Sequence, residues 1–234
     1  MANKIDQAAL SKTDSTLNRK ASFAVVESYK TIRTNLMFLL SQSENKRLII
    51  TSAISGEGKS TTSINIAIAF SQLGSRVLLI DADMRKPTVH KKLKLQNNKG
   101  LSSVLVGFCD ISDAIHSINP NLDVLTAGST PPNPSELLGS ANMVRLLDSL
   151  NEFYEYIIFD TPPINIVSDA LVLAPHTSGM VLVVQNSTTT HEQFKKALSS
   201  IEFANAKLLG AILNGSKGQK KNYKYGYYDY YYYK

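Results

Sequence analysis

The sequence predicts a single α/β domain with a doubly wound, mainly parallel sheet that is flanked by helices. Short β-branched runs alternate with amphipathic segments along most of the 234 residues, and this alternation is typical of parallel sheets. A glycine-containing loop follows the first apolar run, and aspartates follow two others. With 43% hydrophobic residues, the chain can bury a sizeable core as one domain.

The glycine-containing loop is Ser52-Ala-Ile-Ser-Gly-Glu-Gly-Lys-Ser-Thr-Thr62. The apolar run before it, residues 48–51, predicts a buried strand, and residues 62–73 predict a helix. A strand, a turn and a helix that opens at Lys-Ser are the context that the P-loop motif requires. We therefore predict a P-loop NTPase type of domain. One departure is Ala53, because the motif begins with glycine.

The loop residues have defined roles in a nucleotide site. The glycines let consecutive N–H groups face one anion, and the helix N-terminus adds a favourable dipole. Lys59 is predicted to reach the β- and γ-phosphates of ATP, and the Ser60 hydroxyl to ligate Mg²⁺. Asn214 ends the last predicted strand, where its amide can hydrogen-bond a purine or cap a turn. The predicted nucleotide-binding residues are Ser55, Gly56, Glu57, Gly58, Lys59, Ser60, Thr61 and Asn214.

Carboxylates follow two more predicted strands. One strand leads into Asp81-Ala-Asp83-Met-Arg85, and another leads into Asp160 and two prolines. Because ligands lie beyond the carboxyl ends of parallel strands, we expect these groups beside the P-loop. Asp160 fits the aspartate that an ATPase places near Mg²⁺. Alternate residues of an extended chain face one side, so Asp81, Asp83 and Arg85 are expected to converge, and the surplus carboxylates suggest a base.

The remaining pattern completes the alternation. Further strands are predicted at residues 122–126, 180–184 and 208–213, and helices at residues 24–40, 101–106, 113–118, 141–153 and 190–204. Ser135 or Ser140 is expected to cap a helix that follows.

The composition limits the compartment and the partners. The single cysteine, Cys109, excludes an internal disulfide. We recognise no secretory signal and no membrane-spanning run, so we expect a cytoplasmic protein. The net charge of +6 is divided as +4 in residues 1–50, −2 in residues 51–215 and +4 in residues 216–234. Since a nucleic-acid binder more often carries its positive charge on the folded face, we expect no nucleic-acid partner.

The C-terminal segment is rich in tyrosine and lysine. It allows three interpretations: a stacking tail, an aromatic nucleic-acid arm with interleaved lysines, or a set of phosphate acceptors. The P-loop and the surplus aspartates favour the third, because transfer to a phenol benefits from a positioned carboxylate. Eight of the 11 tyrosines lie here: Tyr223, Tyr225, Tyr227, Tyr228, Tyr230, Tyr231, Tyr232 and Tyr233.

Taken in order, these motifs resemble those of the bacterial tyrosine kinases of capsule and exopolysaccharide synthesis. The resemblance rests on the P-loop, the Asp-x-Asp-x-Arg element, the Asp-x-Pro-Pro element at Asp160, and the tyrosine cluster. It implies an ATP-dependent kinase that phosphorylates its own tail between subunits, as well as proteins of the exopolysaccharide pathway. Under this resemblance Lys59, Asp81, Asp83 and Arg85 are catalytic, with Asp81 as the base, and Mg²⁺ is held by Ser60, Asp83 and Asp160.

The resemblance also implies partners. Members of the short form work with a separate transmembrane activator, whose cytoplasmic tail completes the nucleotide pocket and recruits the kinase to the inner face of the membrane. They form ring-type homo-oligomers through a Glu-x-x-Arg-x-x-Arg helix motif, matched here by Glu27, Lys30 and Arg33. Lysine in the second place lacks the bidentate fork of arginine. We expect the basic tail to approach the acidic site of a neighbour and to be expelled once it carries phosphates.

These interpretations divide the chain into a flexible N-terminal arm (residues 1–22), a P-loop kinase domain (residues 23–215) and a tyrosine-rich tail (residues 216–234). Two alternatives are a partitioning or septum-placement type of ATPase switch and a catalytically silent scaffold of polysaccharide assembly. The switch proteins usually carry a lysine at the place of Ile54.

Overall fold

The computed structural model describes residues 21–216. The strands in that part are β1 (Arg47–Ser52), β2 (Val77–Asp81), β3 (Ile115–Asn119), β4 (Leu122–Leu125), β5 (Tyr156–Asp160), β6 (Gly179–Gln185) and β7 (Leu208–Asn214). The helices are α1 (Phe23–Leu40), α2 (Lys59–Ser71), α3 (Val89–Leu93), α4 (Leu101–Leu105), α5 (Ile111–Ala114), α6 (Pro134–Leu138), α7 (Ala141–Leu150), α8 (Asp169–Leu173) and α9 (His191–Phe203), with a 3₁₀ turn at Ala174–His176.

The seven strands form one sheet in the order β3-β4-β2-β5-β1-β6-β7. All neighbours pair in parallel except β3 and β4. The predicted doubly wound, mainly parallel α/β fold is thereby confirmed. The predicted arm and tail lie outside the described residues apart from their inner ends, and so does the whole tyrosine cluster.

Helices cover both faces of the sheet because the central strands are apolar on both sides. In β2, Leu78 and Ile80 belong to one buried cluster, and Val77 and Leu79 belong to the other. The first cluster includes residues of α4, α6, α7, α8 and α9, and the second includes residues of α1, α2 and α3. Near-continuous apolar strands are what two covered faces require.

One element differs from its prediction. The helix expected at residues 113–118 is wrong, since α5 ends at Ala114 and the chain continues as β3. β3 pairs antiparallel with β4, and the turn between them is the dipeptide Pro120-Asn121, whose N–H at Asn121 donates to the side chain of Asn119 at 2.9 Å. The backbone pairing with β4 outweighs the weak helical spacing of the isoleucines.

Side chains cap some of the helices, among them α1, α7 and α9. Ser140 caps α7 by accepting from the N–H of Met143, as expected. Ser135 lies inside α6 and does not cap it; its hydroxyl donates to Asp169.

Within residues 21–216, none of the helices is long and apolar enough to cross a membrane.

Strand register decides which acidic residues meet. Asp81 at the end of β2 is the register partner of Asp160 at the end of β5. β5 also pairs with β1, which runs directly into the P-loop. The three adjacent strands therefore bring two aspartates and the phosphate-binding loop to one edge of the sheet.

Replacing Leu79 of β2 by alanine tests how much the buried core contributes to the stability of the strands that carry this edge of the sheet. Leu79 is fully buried, so Leu79→Ala is expected to lower the free energy of unfolding by about 2–5 kcal/mol. Leu73→Ala is the control, because Leu73 is 53% exposed, and its effect is expected within about 0.5 kcal/mol. Urea denaturation measures both, and equal effects would contradict the assignment of Leu79 to the core.

Candidate active site

The P-loop has the backbone shape that a phosphate cradle requires. Gly56 and Gly58 have φ angles of 89° and 85°, a region that glycine adopts without steric cost. At position 58 a Cβ would also lie 2.6 Å from the amide nitrogen of Asn214, so glycine is needed there for space as well. α2 begins at Lys59, which points its N-terminal N–H groups and its dipole at the loop.

The side chain of Glu57 faces inward and holds the loop. It is fully buried, accepts from the N–H of Ile54 at 2.7 Å and accepts a short hydrogen bond from the hydroxyl of Thr189. That hydroxyl accepts in turn from the N–H of Gln185 at the end of β6, at 2.9 Å. The carboxylate of Glu57 thus connects the P-loop to β6 through Thr189. Only the backbone of Glu57 is left for the predicted contact with a nucleotide.

Asn214 reinforces the loop from β7. Its amide nitrogen donates to the carbonyl of Glu57 at 2.8 Å and to the Thr62 hydroxyl at 3.2 Å. Both amide hydrogens thus point at the P-loop and α2, and the Oδ1 of Asn214 is the atom available to accept from a purine.

Lys59 lies among the predicted metal-binding carboxylates. Its Nζ is 2.9 Å from Asp83 Oδ2 and 3.8 Å from Asp160 Oδ1, and the hydroxyl of Ser63 donates to the same Asp160 oxygen at 3.1 Å. Burial alone would lower the pKa of Lys59, but the charges of Asp160 and Asp83 outweigh it and raise that pKa. Lys59 is therefore a charged ammonium in a largely buried position.

The two aspartates at matched strand ends have unusual proton affinity. Burial, followed by the charge of Asp160, raises the pKa of Asp81 well above its ordinary value. Burial also raises the pKa of Asp160, opposed by Lys59 and by a hydrogen bond from Ser60. Raised carboxylate pKa values close to a cation are typical of functional sites.

Asp81 is held within the loop that follows β2. Its two oxygens accept from the N–H groups of Asp83 and Val89 at 3.3 Å and 3.1 Å, and the side chain is fully buried. It lies beneath the cavity, whereas Asp83 lines it. In this conformation the predicted base thus orders the loop between β2 and α3.

A further hydroxyl, not singled out in the sequence, meets the predicted Mg²⁺ ligand. Thr88 precedes α3 and donates from its Oγ1 to the Ser60 Oγ at 2.8 Å. No motif spacing identifies Thr88, because 28 residues separate it from Ser60 and only the fold brings them together.

Arg85 lines the same cavity as Asp83, but its guanidinium pairs with Asp169 and not with the two aspartates of the motif. Its Nε and Nη2 donate to both oxygens of Asp169 at 2.9 Å and 3.0 Å, and Nη2 also donates to Ser135 at 3.0 Å. Asp169, at the start of α8, is fully buried and accepts from the Ser135 hydroxyl at 2.5 Å. This network fixes the loop after β2 against α6 and α8, and nothing in the local sequence pattern of Asp169 predicted it.

An open cavity of about 370 Å³ lies where these elements meet. One wall is the P-loop, the second is the loop after β2 together with α3, and the third follows β5. The residues that line it are Ser55, Gly56, Gly58, Lys59, Ser60, Thr61, Asp83, Arg85, Lys86, Thr88, Lys92, Pro162, Pro163, Ile166 and Val167.

These residues fit a nucleotide with Mg²⁺. The glycine cradle and the start of α2 suit a phosphate, and Ser60, Asp83 and Asp160 supply the hard oxygen ligands that Mg²⁺ prefers. Within the described part of the chain, Asp160 Oδ2 is buried without a hydrogen-bond partner, as a ligand oxygen would be. Among residues 21–216 no group of three His, Cys, Asp or Glu side chains could hold a metal by itself. A bound Mg²⁺ would therefore need the Ser60 hydroxyl and phosphate oxygens as further ligands.

The predicted subunit-contact residues lie on α1, away from the cavity. Glu27 and Lys30 form an ion pair within the helix at 2.7 Å. Arg33 donates to the carbonyl of Ala69 in α2 at 2.9 Å. The three residues thus interact within their own subunit here.

The fold and the site define a P-loop nucleotide-binding protein equipped with surplus carboxylates. Residues 45–208 match the AAA domain family AAA_31. The chain is 48% identical to the tyrosine-protein kinase YwqD of Bacillus subtilis over 86% of this chain and 85% of that protein. It is 42% identical to the tyrosine-protein kinase CpsD of Streptococcus agalactiae, over 80% and 82% of the two chains.

The solved kinase domain of the Escherichia coli tyrosine kinase ETK superposes with a TM-score of 0.81 at 34% identity, covering 97% of this chain and 87% of that one. The chain belongs to the family of bacterial tyrosine-protein kinases. The partitioning-type switch and the silent scaffold are not favoured.

Removing the hydroxyl of Thr189 is expected to loosen the P-loop. Thr189→Val takes a hydrogen-bond donor from the buried Glu57 carboxylate, at a cost of about 1–3 kcal/mol, so ADP with Mg²⁺ should bind roughly tenfold more weakly. Titration calorimetry measures the affinity. The exposed neighbour Thr188 provides the control Thr188→Val, and equal affinities for the two variants would contradict the role of Thr189.

Asp169→Asn is expected to release Arg85. The substitution removes half of a bidentate ion pair at a buried carboxylate, so the free energy of unfolding should fall by about 1–3 kcal/mol. Asp113→Asn breaks the exposed ion pair with Lys99 and should cost less than about 1 kcal/mol. If denaturation curves of the two variants coincide, the network is no more than a surface contact.

Proposed function

We propose that this protein is an ATP-dependent protein-tyrosine kinase that phosphorylates its own C-terminal tyrosine cluster, between subunits, and regulates capsular or exopolysaccharide synthesis and export. Residues 23–215 would form the kinase domain and residues 216–234 the acceptor tail. Pathway proteins would be further substrates. The relatives named above are tyrosine-protein kinases, and their names support the choice of tyrosine as the acceptor.

One observation carries this proposal: Lys59 contacts Asp83 and Asp160 beside a P-loop, in a chain that has eight tyrosines within residues 223–233. An ATPase switch needs the P-loop and one aspartate at the metal. The Asp81/Asp83 pair and the tyrosines go beyond that need. A site that transfers the γ-phosphoryl group to a phenol uses all of them.

In the proposed reaction the tyrosine oxygen bonds to the γ-phosphorus as the bond from that phosphorus to the β,γ-bridging oxygen breaks. Mg²⁺ supplies charge neutralisation on the phosphates when it is bound. Lys59 exchanges Asp83 for phosphate oxygens, and Ser60, Asp83 and Asp160 hold the metal. The transition state gathers negative charge, which Lys59 stabilises.

The phenol proton passes to the carboxylate of Asp81. A raised pKa favours this role, because burial makes the carboxylate of Asp81 a stronger proton acceptor than an exposed aspartate. Asp81 reaches the acceptor once the loop after β2 opens and the N–H groups of Asp83 and Val89 release its oxygens. Arg85, held by Asp169, keeps the far end of this loop in place.

The proposed partners are a transmembrane activator and further copies of the chain. The cytoplasmic tail of the activator would complete the nucleotide pocket and hold the kinase at the inner face of the membrane, while the protein itself is cytoplasmic. Ring assembly would use Glu27, Lys30 and Arg33. Glu27 and Lys30 are half exposed and form an ion pair with each other. A contact with a neighbouring subunit through either charged group would compete with this pair.

The decisive experiment incubates the purified protein with ATP and Mg²⁺, with and without the activator's cytoplasmic peptide, and analyses the C-terminal peptide by mass spectrometry. Phosphotyrosine is expected within residues 223–233. Lys59→Met should lower its rate of formation by about 10²–10³-fold, and Asp81→Asn should lower that rate by about 10²–10⁴-fold. Lys195→Met, at an exposed position on α9, is the matched control and should retain wild-type activity.

ATP hydrolysis with an unmodified tail, in the presence of a validated activator, would contradict the kinase and favour the switch. Wild-type polysaccharide export by Lys59→Met would favour the scaffold.

A further inference from the structure

Thr88 directs its hydroxyl to the P-loop and not to the helix that it precedes. Threonine is favoured at the N-cap of a helix because its side-chain oxygen accepts from an N–H of the first turn. Thr88 occupies that position before α3, yet among residues 21–216 no N–H group of the helix donates to its side chain. Its Oγ1 donates instead to the Ser60 Oγ at 2.8 Å. The hydroxyl of Thr88 therefore serves the predicted Mg²⁺ ligand.

The backbone restrains Thr88 on both sides. Pro87 precedes it, and the ring of proline restricts its own φ to about −65°. The N–H of Val89, which follows, donates to Asp81 Oδ2 at 3.1 Å. Because both neighbours are restrained, the side chain of Thr88 is held where it meets the P-loop.

The hydroxyl of Ser60 has one proton to donate and two lone pairs with which it can accept. A hydrogen bond from Ser60 acts to lower the pKa of Asp160, so the proton of Ser60 faces that carboxylate. Thr88 donates to one lone pair of the Ser60 oxygen. Lys59 Nζ lies 3.5 Å from the same oxygen, which is long for a hydrogen bond. The second lone pair of Ser60 is therefore left for a metal ion.

This arrangement selects one orientation of the Ser60 side chain. A serine side chain has three staggered rotamers, and a donor at Thr88 together with an acceptor at Asp160 stabilises the rotamer that places Oγ between them. Mg²⁺ requires near-ideal octahedral geometry with short bonds to oxygen, so it tolerates little misplacement of Oγ. Groups that orient a metal ligand typically change the affinity for the metal by about 10–100-fold.

We propose that Thr88 is a positioning residue for Mg²⁺, which acts by holding the Ser60 oxygen in the orientation that accepts the metal. This inference rests on the nucleotide and Mg²⁺ site of the proposed function. Thr88 also lines the cavity, so a direct contact of its hydroxyl with a phosphate or with the metal is the alternative.

Two titrations separate the metal from the nucleotide. Mg²⁺ titrated into the complex of the protein with ADP measures the affinity for the metal, and ADP titrated in EDTA measures the affinity for the nucleotide alone. Thr88→Val keeps the shape of the side chain and removes its donor. It should weaken Mg²⁺ binding about tenfold and leave the affinity for ADP in EDTA unchanged.

Two further variants serve as controls. Thr88→Ser keeps a hydroxyl at this position and should recover most of the loss in Mg²⁺ affinity. Thr130→Val removes the hydroxyl of an exposed threonine that does not line the cavity, and it should match the wild type in both titrations.

A double-mutant cycle shows whether Thr88 acts through Ser60. Ser60→Ala removes the predicted ligand and should itself weaken Mg²⁺ binding. If Thr88 acts by holding the Ser60 oxygen, the addition of Thr88→Val to Ser60→Ala should cause no further loss. A tenfold loss in both backgrounds would assign Thr88 directly to the metal or to the phosphates, and it would overturn the positioning role.

Two other results would also overturn it. One is an equal loss of ADP affinity in EDTA for Thr88→Val, which would make Thr88 a contact of the nucleotide or a residue needed for the shape of the P-loop. The other is a Thr88→Ser protein as weak in Mg²⁺ binding as Thr88→Val. Failure of the kinase itself is distinguishable, because the titrations use ADP and need no phosphoryl transfer. The tail would then stay unmodified in every protein, while the difference in Mg²⁺ affinity would persist.

Discussion

The ammonium group of Lys59 is the charge on which the rest of the site depends. The register of β2 and β5 places Asp81 beside Asp160, and Asp83 follows within two residues, so three carboxylates are gathered in a nearly dry region. Without a cation their mutual repulsion and desolvation would be costly. Lys59, nearly buried and within 4 Å of two of them, offsets this cost. In the proposed function, nucleotide and Mg²⁺ would bind by exchanging ion-pair partners within this preformed cluster.

The P-loop is held by hydrogen bonds from residues at the ends of two strands. Glu57 connects it to the end of β6 through Thr189, and Asn214 connects it to the end of β7. These ties satisfy buried polar groups that would otherwise destabilise the fold. A loop fixed in this way presents its N–H groups to a phosphate with little ordering left to do on binding.

The loop after β2 is held at both of its ends. Asp81 restrains it through two hydrogen bonds to backbone N–H groups, whereas Arg85 is fixed by a bidentate pair and by Ser135. Ser135 thereby connects the loop after β2 to α6 and α8.

The sequence by itself determined the features that depend on local pattern. Strand, glycine turn and helix predicted the P-loop, and apolar runs that end in aspartate predicted which groups meet at the sheet edge, because parallel strands share a carboxyl edge. The tertiary structure alone decided the contacts between distant segments. Arg85 binds Asp169, 84 residues away, and residues 115–119 form a strand because β4 offers them a partner. The fold also decides which carboxylates are buried and which basic side chains line the cavity. Burial is a property of packing, and no spacing along the chain encodes it.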